Sequence, residues 1–328
     1  MAAFPVPGSR RRIRRTHVIA AWCAMTLCTA AAAPATADGD TTATTATARP
    51  TIVLVHGAFA DASSWNGVVE RLQHRGYTVI APANPLRGLY SDSTYIASVL
   101  DSIKGPIVLV GHSYGGAVIS SAAAGNPRVK SLVYVSALMP DVGESGMSLA
   151  TRFPSELGTA TKSVPYRTGD GGGTDLYLKP DRLRQVFAAD LPESTTKLLA
   201  VTQRPAATTA FSEKARTAAW KHIPSWFLVA KQDRTINPDQ ERFEAKRAGS
   251  HTVEIDSSHV AMIAHPEAVT GLVLQAATAA DAGRPVPAAT GSAPDAPAET
   301  ALTGIASASL FAGAGAVLLG RRLRRPGP

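Results

Sequence analysis

The sequence predicts an α/β domain in which a mostly parallel sheet carries helices on both faces. Three observations support this prediction. Six short apolar runs rich in valine and isoleucine are typical of buried strands. Segments of helical length separate most of these runs, as parallel strands require. A serine between glycines, in Gly111-His112-Ser113-Tyr114-Gly115, directly follows one run and is typical of a sharp turn from a strand into a helix.

The predicted elements follow one another along residues 50–278. Short apolar or β-branched segments predict strands over residues 51–55, 77–80, 107–110, 129–135, 226–229 and 252–255. Helix-compatible segments predict helices over residues 65–74, 93–102, 115–124, 239–248 and 266–278. Together these elements have the size of one ordinary α/β domain.

Residues 139–217 break the alternation of strands and helices. This segment is long, contains several prolines and the run Gly171-Gly172-Gly173, and begins after a predicted strand. We interpret it as a cap inserted over the functional site. The glycine run is expected to be a flexible part of this cap, because the sequence around it matches neither a phosphate-binding loop nor a dinucleotide-binding loop.

The basic character of the chain is confined to its two ends. The 328 residues include 33 lysines and arginines and 25 acids, which gives a formal net charge of +8. Five of these bases lie in Arg10–Arg15 and four in Arg321–Arg325. The rest of the chain contains 24 bases and 25 acids, so it is almost neutral. We therefore expect no basic face for nucleic acid.

Residues 1–37 have the pattern of a signal peptide. Arg10–Arg15 supply its charged region, Val18–Ala33 its apolar region, and Ala35-Thr36-Ala37 small residues for cleavage. An uncleaved N-terminal anchor is the alternative, and both the Sec and the twin-arginine routes of export stay open. Cleavage would remove both cysteines of the chain, so we expect neither disulfides nor a cysteine nucleophile in the mature protein.

Residues 301–328 are typical of a hydrophobic and basic surface anchor. Gly304–Leu319 is apolar, but at about 1.5 Å per residue it is short for a hydrocarbon core of about 30 Å, and Arg321–Arg325 follows it. The arrangement resembles the cell-wall sorting signal of Gram-positive surface proteins, with Thr300–Gly304 in place of its recognition motif. Wall linkage and a transmembrane tail both stay open. Either one predicts an exported protein that is held at the cell membrane or cell wall.

Two segments of simple composition flank the predicted domain. Residues 38–49 are dominated by threonine and alanine, and residues 279–300 by alanine and proline. Such segments without an apolar period are typical of linkers. The predicted organisation is thus a signal peptide, a linker, the domain, a spacer and an anchor segment.

Ser113 needs a base to act as a nucleophile, because an unassisted serine hydroxyl is a poor one. His259 follows the last predicted strand, and Asp233 follows the strand before it. In a parallel sheet both positions fall at the carboxyl edge, which is also the edge of Ser113. We therefore predict that Ser113 is the nucleophile, His259 the base and Asp233 the acid that orients the base.

Other residues compete for two of these roles. His251 and His265 are alternative bases, although one should enter a strand and the other precedes a proline that should start a helix. Asp256 and Asp141 are alternative acids. The first stands only three residues before the predicted base, and the second follows the fourth predicted strand.

From about residue 50 to residue 278 the chain resembles the α/β-hydrolases, in the small branch of plant-type methyl esterases, hydroxynitrile lyases and related bacterial esterases. The matching residues are His56-Gly57-Ala58, Trp65, Gly111–Gly116, Asp233 with Pro238, and His259 with Met262 and Pro266. The resemblance implies the α/β-hydrolase fold with its inserted cap. It also implies an oxyanion hole formed by the backbone N–H groups of Ala58 and Tyr114, with Phe59 as the alternative to Ala58.

The chemistry that the resemblance implies is that of a serine esterase. Such an enzyme cleaves a small carboxylic ester through an acyl-enzyme, with water as co-substrate and no cofactor. The cyanogenic lyases carry a lysine directly after the catalytic histidine, where this chain has Val260, so ester hydrolysis is favoured. The alternatives are lyase or perhydrolase chemistry on the same residues, and a catalytically idle surface binding module. No histidine pair has the helical spacing of metal ligands, so no metal is expected.

Further residues are expected to support the site or to shape it. His56 is expected to fix the oxyanion loop, and His112 to be a packing or hydrogen-bonding neighbour. Five aromatic residues of the cap would suit either an apolar substrate pocket or the core of the cap itself: Phe153, Tyr166, Tyr177, Phe187 and Phe211. The sequence predicts a small-molecule ester substrate and leaves its identity and the oligomeric state open.

Overall fold

The computed structural model describes residues 49–169 and 171–282. The predicted signal peptide and anchor segment lie outside the described residues, as do most of the predicted linker and spacer. Within the described ranges, no helix is both long enough and apolar enough to cross a bilayer.

A six-stranded parallel sheet forms the centre of the described domain. In chain order the strands are β1 (Thr51–Val55), β2 (Val79–Ile80), β3 (Ile107–His112), β4 (Val129–Val135), β5 (Thr161–Thr168), β6 (Gly171–Leu178), β7 (Ala206–Ala207), β8 (Ser225–Ala230) and β9 (His251–Ile255). The main sheet has the order β2-β1-β3-β4-β8-β9, and all its ladders are parallel. The predicted mostly parallel sheet is confirmed, and each of the six predicted strands is present.

Burial explains why these apolar runs become strands. β1 and β3 are buried along their whole length and consist mainly of valine, isoleucine and leucine. Branched side chains fit a pleated surface that is covered on both faces. β2 lies at one edge of the sheet, has only two residues and is half-buried, which is why the predicted strand over residues 77–80 is shorter in the structure.

Helices cover both faces of this sheet, as predicted. In chain order they are α1 (Asn66–His74), α2 (Leu89–Asp101), α3 (Tyr114–Ala122), α4 (Gly146–Arg152), α5 (Leu157–Ala160), α6 (Pro180–Phe187), α7 (Glu193–Thr202), α8 (Thr208–Ser212), α9 (Pro238–Ala248), α10 (Ala261–Ala264) and α11 (Pro266–Ala282). α11 packs on β3, β4 and β8 and against α1. α2 and α3 pack on each other, α3 also lies on β3, and α9 lies on β8.

Two helices begin or end away from the predicted residues. α2 begins at Leu89 because the carboxylate of Asp92 accepts hydrogen bonds from the backbone N–H groups of Arg87 and Gly88, which stabilises the first turn. α11 continues to Ala282, four residues beyond its predicted end and into the predicted spacer.

The chain between β4 and β8 contains the elements of the predicted cap, α4 to α8 and a small antiparallel sheet of β5, β6 and β7. Gly171-Gly172-Gly173 lies in a strand of this small sheet and not in an irregular part of the cap, and its expected flexibility stays a prediction. These glycines open β6, where they pair with Tyr166, Arg167 and Thr168 of β5. A Cβ on Gly172 would lie 2.3 Å from the carbonyl oxygen of Tyr166, and one on Gly173 would lie 2.8 Å from its hydroxyl. Gly172 and Gly173 therefore allow close packing between β5 and β6, whereas a Cβ on Gly171 would meet nothing within 4 Å.

Candidate active site

Ser113 lies on a strained turn between β3 and α3. Its backbone is in the left-handed region, with φ of 54°, which is costly for a residue other than glycine. The neighbouring glycines make the turn possible. A Cβ on Gly111 would lie 2.6 Å from the carbonyl oxygen of Gly115, and a Cβ on Gly115 would lie 2.4 Å from that of Val55. The strain and the close packing are typical of a serine presented at a strand-to-helix turn.

The loop after β1 approaches the same serine. A Cβ on Gly57 would lie 2.5 Å from Cβ of Ser113 and 3.1 Å from its Oγ. Glycine at position 57 therefore lets the backbone of this loop reach the serine side chain, which is the condition for backbone N–H groups to act there.

His259 and Asp233 form a buried hydrogen-bonded pair. The Nδ1–H of His259 donates to Oδ2 of Asp233 over 2.5 Å, and both side chains are fully buried. Oδ1 of Asp233 accepts from the backbone N–H groups of Thr235 at 2.7 Å and Ile236 at 2.9 Å. With its proton on Nδ1, the imidazole carries its lone pair on Nε2, and this atom has no hydrogen-bond partner among the described residues. The pair thus presents a free base.

The base is fixed to the turn that carries Ser113. His112, the residue before the serine, donates from Nε2 to the carbonyl oxygen of His259 over 3.0 Å. The two imidazole rings lie 4.7 Å apart between centroids, and the ring of Phe187 packs 5.2 Å from that of His259. Burial, followed by the neighbouring His259, lowers the pKa of His112 well below its usual value, so His112 is a neutral hydrogen-bonding neighbour.

Two backbone N–H groups near Ser113 have no acceptor within the described part of the chain. Tyr114 is the first residue of α3, so its N–H has no partner within the helix. The N–H of Ala58 also makes no hydrogen bond, whereas that of Phe59 donates to the carbonyl oxygen of Arg204 at 3.0 Å. The geometry therefore favours Ala58 over Phe59 as the second donor for an oxyanion.

His56 holds the loop of Ala58 in place. Its Nδ1–H donates to the carbonyl oxygen of Gly57, and its Nε2 accepts from the backbone N–H of Asn84, both over 2.9 Å. The side chain of Asn84 donates in turn to the carbonyl oxygen of His56. Burial lowers the pKa of His56 to about 4, so the ring is neutral and can make both bonds.

These features agree with a comparison against known proteins. The sequence pattern of the alpha/beta hydrolase family matches residues 52–272. The chain belongs to this family. Methylesterase 17 of Arabidopsis thaliana is 25% identical to it over 257 residues, which cover 70% of this chain and 91% of that protein. A pyrethroid hydrolase of Sphingobium wenxiniae is 31% identical over 158 residues, which cover 43% of this chain and 55% of that protein.

Solved structures agree with the fold of this alpha/beta hydrolase. The crystal structure of polyneuridine aldehyde esterase, at 20% identity, matches with a TM-score of 0.61 over 69% of this chain and 98% of its own. The predicted α/β-hydrolase fold and the resemblance to its methyl esterase branch are both confirmed.

The alternative bases and acids of this alpha/beta hydrolase have other neighbours. His251 stacks on Trp226, His265 lies 3.6 Å from Asp190, Asp141 pairs with Lys221 at 2.5 Å and Asp256 pairs with Lys231 at 2.9 Å. Among the residues that the structure describes, no three histidine, cysteine or acidic side chains converge in a way that could hold a metal ion.

A pocket of about 270 Å³ opens beside Ser113. Its walls are mainly apolar side chains of the cap and of the segment before α9, among them Leu138, Met147, Phe211 and Ile236. None of the residues that line it is charged.

Of the five cap aromatics, only Phe211 lines this pocket. The other four do not line it: Phe153 packs on Phe243, Phe187 packs on Phe59 and on the imidazole of His259, Tyr166 lies under Arg87 and Tyr177 lies near Lys162. The cap therefore contributes mostly aliphatic side chains to the site of this alpha/beta hydrolase.

Sequence reasoning missed two groups that surround the site. Arg204 holds the loop of Ala58 through its backbone carbonyl, which a side-chain pattern cannot reveal. Glu241 lies on α9 with its side chain fully buried. The buried residues of α9 are Gln240, Glu241, Glu244 and Ala245, which share one helical face. A helical projection of residues 238–248 places the two glutamates on one face of α9, but only the structure shows that this face is the buried one.

Proposed function

We propose that this alpha/beta hydrolase cleaves small, uncharged carboxylic esters through a serine acyl-enzyme. One observation carries the proposal. A buried imidazole, oriented by Asp233 at 2.5 Å and with Nε2 free, is fixed to the turn that bears Ser113. The names of two similar proteins, a methylesterase and a polyneuridine aldehyde esterase, support an ester as the substrate class.

The reaction follows from the residues in place. Oγ of Ser113 attacks the ester carbonyl while Nε2 of His259 takes its proton, and Asp233 stabilises the imidazolium. The N–H groups of Ala58 and Tyr114 bind the negative oxygen of the tetrahedral intermediate, each worth about 3 kcal/mol. The intermediate expels the alcohol, which receives the proton from His259. A water activated by His259 then attacks the acyl-serine, and the acid product and free serine result.

The pocket limits which esters can fit. Its lining is mainly apolar and carries no charge, so a charged acyl or alcohol group would lose hydration without gaining a partner. We infer that neutral substrates with an aliphatic or aromatic group of moderate size are favoured. A pyrethroid hydrolase among the similar proteins supports an apolar ester.

Val260 supports hydrolysis over lyase chemistry. This residue follows His259 and is fully buried, so position 260 offers no cation for a cyanide leaving group. Assays of cyanohydrin cleavage and perhydrolysis beside ester hydrolysis test these alternatives directly, and faster turnover in either assay would overturn the assignment as an esterase.

The decisive experiment combines active-site labelling with an ester panel. We expect a fluorophosphonate probe to form one adduct on Ser113, and p-nitrophenyl esters from acetate to octanoate to be hydrolysed. Ser113→Ala should abolish both signals, while Ser121→Ala, on the same helix and away from the turn, should retain them. A folded wild-type protein that forms no adduct would instead support the idle binding module.

We also propose that the protein is exported and held at the cell surface. The proposal rests on the sequence of residues 1–37 and 301–328 alone. In fractionated cells, the intact mature protein should be found with the membrane or wall. Removal of residues 301–328 should release it into the medium, and a cytoplasmic full-length protein would contradict the proposal.

A further inference from the structure

A second carboxyl group lies buried behind Asp233. Glu241, in the first turn of α9, has no solvent exposure. Its Oε2 accepts a hydrogen bond from the backbone N–H of Ala230 at 3.0 Å, at the end of β8. Its Oε1 is buried and receives no N–H or O–H donor from the described residues. The backbone N–H of Asp233 donates to the carbonyl oxygen of the same Ala230 at 3.1 Å, so both acids are tied to one residue at the end of β8.

Two neighbouring carboxylates that are buried away from water are strongly disfavoured when both carry a charge, so one of them holds a proton. The number of N–H donors to each carboxyl group indicates which of the two acids holds the proton. Asp233 receives three N–H groups, from Thr235, Ile236 and His259, whereas Glu241 receives one. The negative charge is therefore most stable on Asp233, and the proton rests on Glu241. Burial, and then the charge of Asp233, raise the pKa of Glu241 well above its usual value, in agreement with this placement.

We propose that Glu241 is a positioning residue, whose protonated Oε1 donates a fourth hydrogen bond to the carboxylate of Asp233. The bond accounts for the otherwise unpartnered Oε1 atom, since Oε2 is already occupied by the N–H of Ala230. It ties the acid of the site to β8 and α9. This inference rests on the proposed function in one respect, namely that Asp233 orients the catalytic base.

The bond has a consequence for the base. A carboxylate that receives a further O–H donor carries less negative charge toward His259, so it stabilises the imidazolium less. Without this donor, the carboxylate would attract a protonated imidazole more strongly. Among the described residues, Glu244 on α9 also faces Glu241, and His112 on β3 also faces the imidazole of His259; neither is changed in the Glu241 variants.

The test compares three variants by their pH profiles of kcat/KM for a p-nitrophenyl ester. In each profile, the acid limb is the range in which kcat/KM falls as the pH is lowered. Glu241→Gln keeps an N–H donor toward Asp233 and an oxygen for Ala230, so its acid limb should lie at the same pH as that of the wild type. Glu241→Met removes the donor, and we expect its acid limb to move to higher pH by about 0.5 to 1 unit. Its kcat should fall about tenfold with little change in KM, because the orientation of the base is lost and the substrate pocket is not.

Glu244→Met is the matched control for loss of a buried acid. Glu244 is also fully buried, lies one turn further along α9, and makes no hydrogen bond to Asp233. Glu244→Met should leave the acid limb where it is in the wild type, whatever its effect on thermal stability. If Glu241→Met and Glu244→Met have the same acid limb, or if Glu241→Gln shifts as far as Glu241→Met, Glu241 is only structural and the proposal is wrong.

Infrared spectroscopy separates this proposal from the proposed function. In a Glu244→Gln background at pH 7, the C=O stretch of a buried protonated carboxyl should be present, and adding Glu241→Gln should remove it. If that band is absent from Glu244→Gln, Glu241 is not protonated and the proposal is wrong, whatever the enzyme hydrolyses. If the band is present but the wild type hydrolyses no ester, the protonated state of Glu241 is supported and the assignment as an esterase fails.

Discussion

At the scale of single residues, the position of one proton decides what the site can do. The carboxylate of Asp233 accepts from Nδ1 of His259, so the lone pair of the imidazole rests on Nε2. One further hydrogen bond of the site depends on a neutral histidine as well. Nε2 of His56 accepts from the backbone N–H of Asn84 only while this nitrogen carries no proton. The chemistry therefore depends on tautomers that buried neighbours fix.

Asp233→Asn should keep the geometry of the site but abolish most of its activity. The amide of asparagine can donate to Nδ1 of His259, which would place the ring proton on Nε2 and leave no base for Ser113. We expect kcat for a p-nitrophenyl ester to fall about 1,000-fold to 10,000-fold, with KM within about threefold. Asp256→Asn, at the exposed acid that pairs with Lys231, is the control and should be within about twofold of the wild type. Equal losses in both variants would show that Asp233 is not the orienting acid.

Residue position relative to the strands made the core of the site predictable. Ser113, Asp233 and His259 each follow a strand end, and parallel strands bring their carboxyl ends to one edge. Glu241 and the carbonyl of Arg204 were not predictable in the same way. A glutamate in a charged helix is usually exposed, and only the packing of α9 on β8 buries this one. A backbone carbonyl has no signature in the sequence.

At the scale of elements, the contact between β1 and α3 sets the geometry of the loop that carries Ala58. α3 begins directly after Ser113, and β1 ends directly before the loop that carries Ala58. Gly115 lies at this contact, where an added Cβ would meet the backbone oxygen of Val55 at 2.4 Å. Backbone atoms cannot move aside as a flexible side chain can, so the two elements would have to separate.

Gly115→Ala should therefore cost both stability and activity. We expect a loss of about 1 to 3 kcal/mol from overpacking, and a lower kcat because Ala58 and Tyr114 would move apart. Gly271→Ala is the matched control in another helix, since an added Cβ there meets nothing within 4 Å. That variant should gain about 0.5 to 1 kcal/mol from helix propensity and keep its activity. Thermal unfolding and kcat/KM measure both effects, and an unchanged Gly115→Ala would contradict the close contact.

The strands of the main sheet were predictable because burial on both faces leaves an unbroken apolar run in the sequence. The elements of the cap were not. β5 is largely exposed, and β6 opens with three glycines, so neither has an apolar period that would predict a strand. Their pairing is stabilised by the backbone ladder and by the close approach of Gly172 and Gly173 to Tyr166. Such tertiary packing overrides local propensity.

At the scale of the whole molecule, two buried groups with pKa values shifted in opposite directions should set the pH range in which the fold is stable. Burial lowers the pKa of His56 from 6.5 to about 4, so its contribution to stability is present above pH 6.5 and is lost as the pH falls through 4. Burial raises the pKa of Glu244 from 4.5 to about 8, so its contribution is present below pH 4.5 and is lost as the pH rises through 8. The folded state is thus destabilised from both sides, and the alkaline side depends on a buried acid that the proposed reaction does not use.

Glu244→Gln should flatten the alkaline side of this stability profile. Between pH 5 and pH 9 the wild type must give up a proton from a fully buried carboxyl, which costs roughly 4 kcal/mol for a pKa near 8, or about 10 °C in Tm. Glutamine has nearly the same shape and does not ionise, so the variant and the wild type should unfold at similar temperatures at pH 5 and diverge toward pH 9. Glu70→Gln, at an exposed acid of α1, should follow the wild type throughout. Differential scanning calorimetry across this range decides the matter. Parallel curves for the wild type and Glu244→Gln would mean that Glu244 is ionised at neutral pH and that some other group carries the alkaline limit.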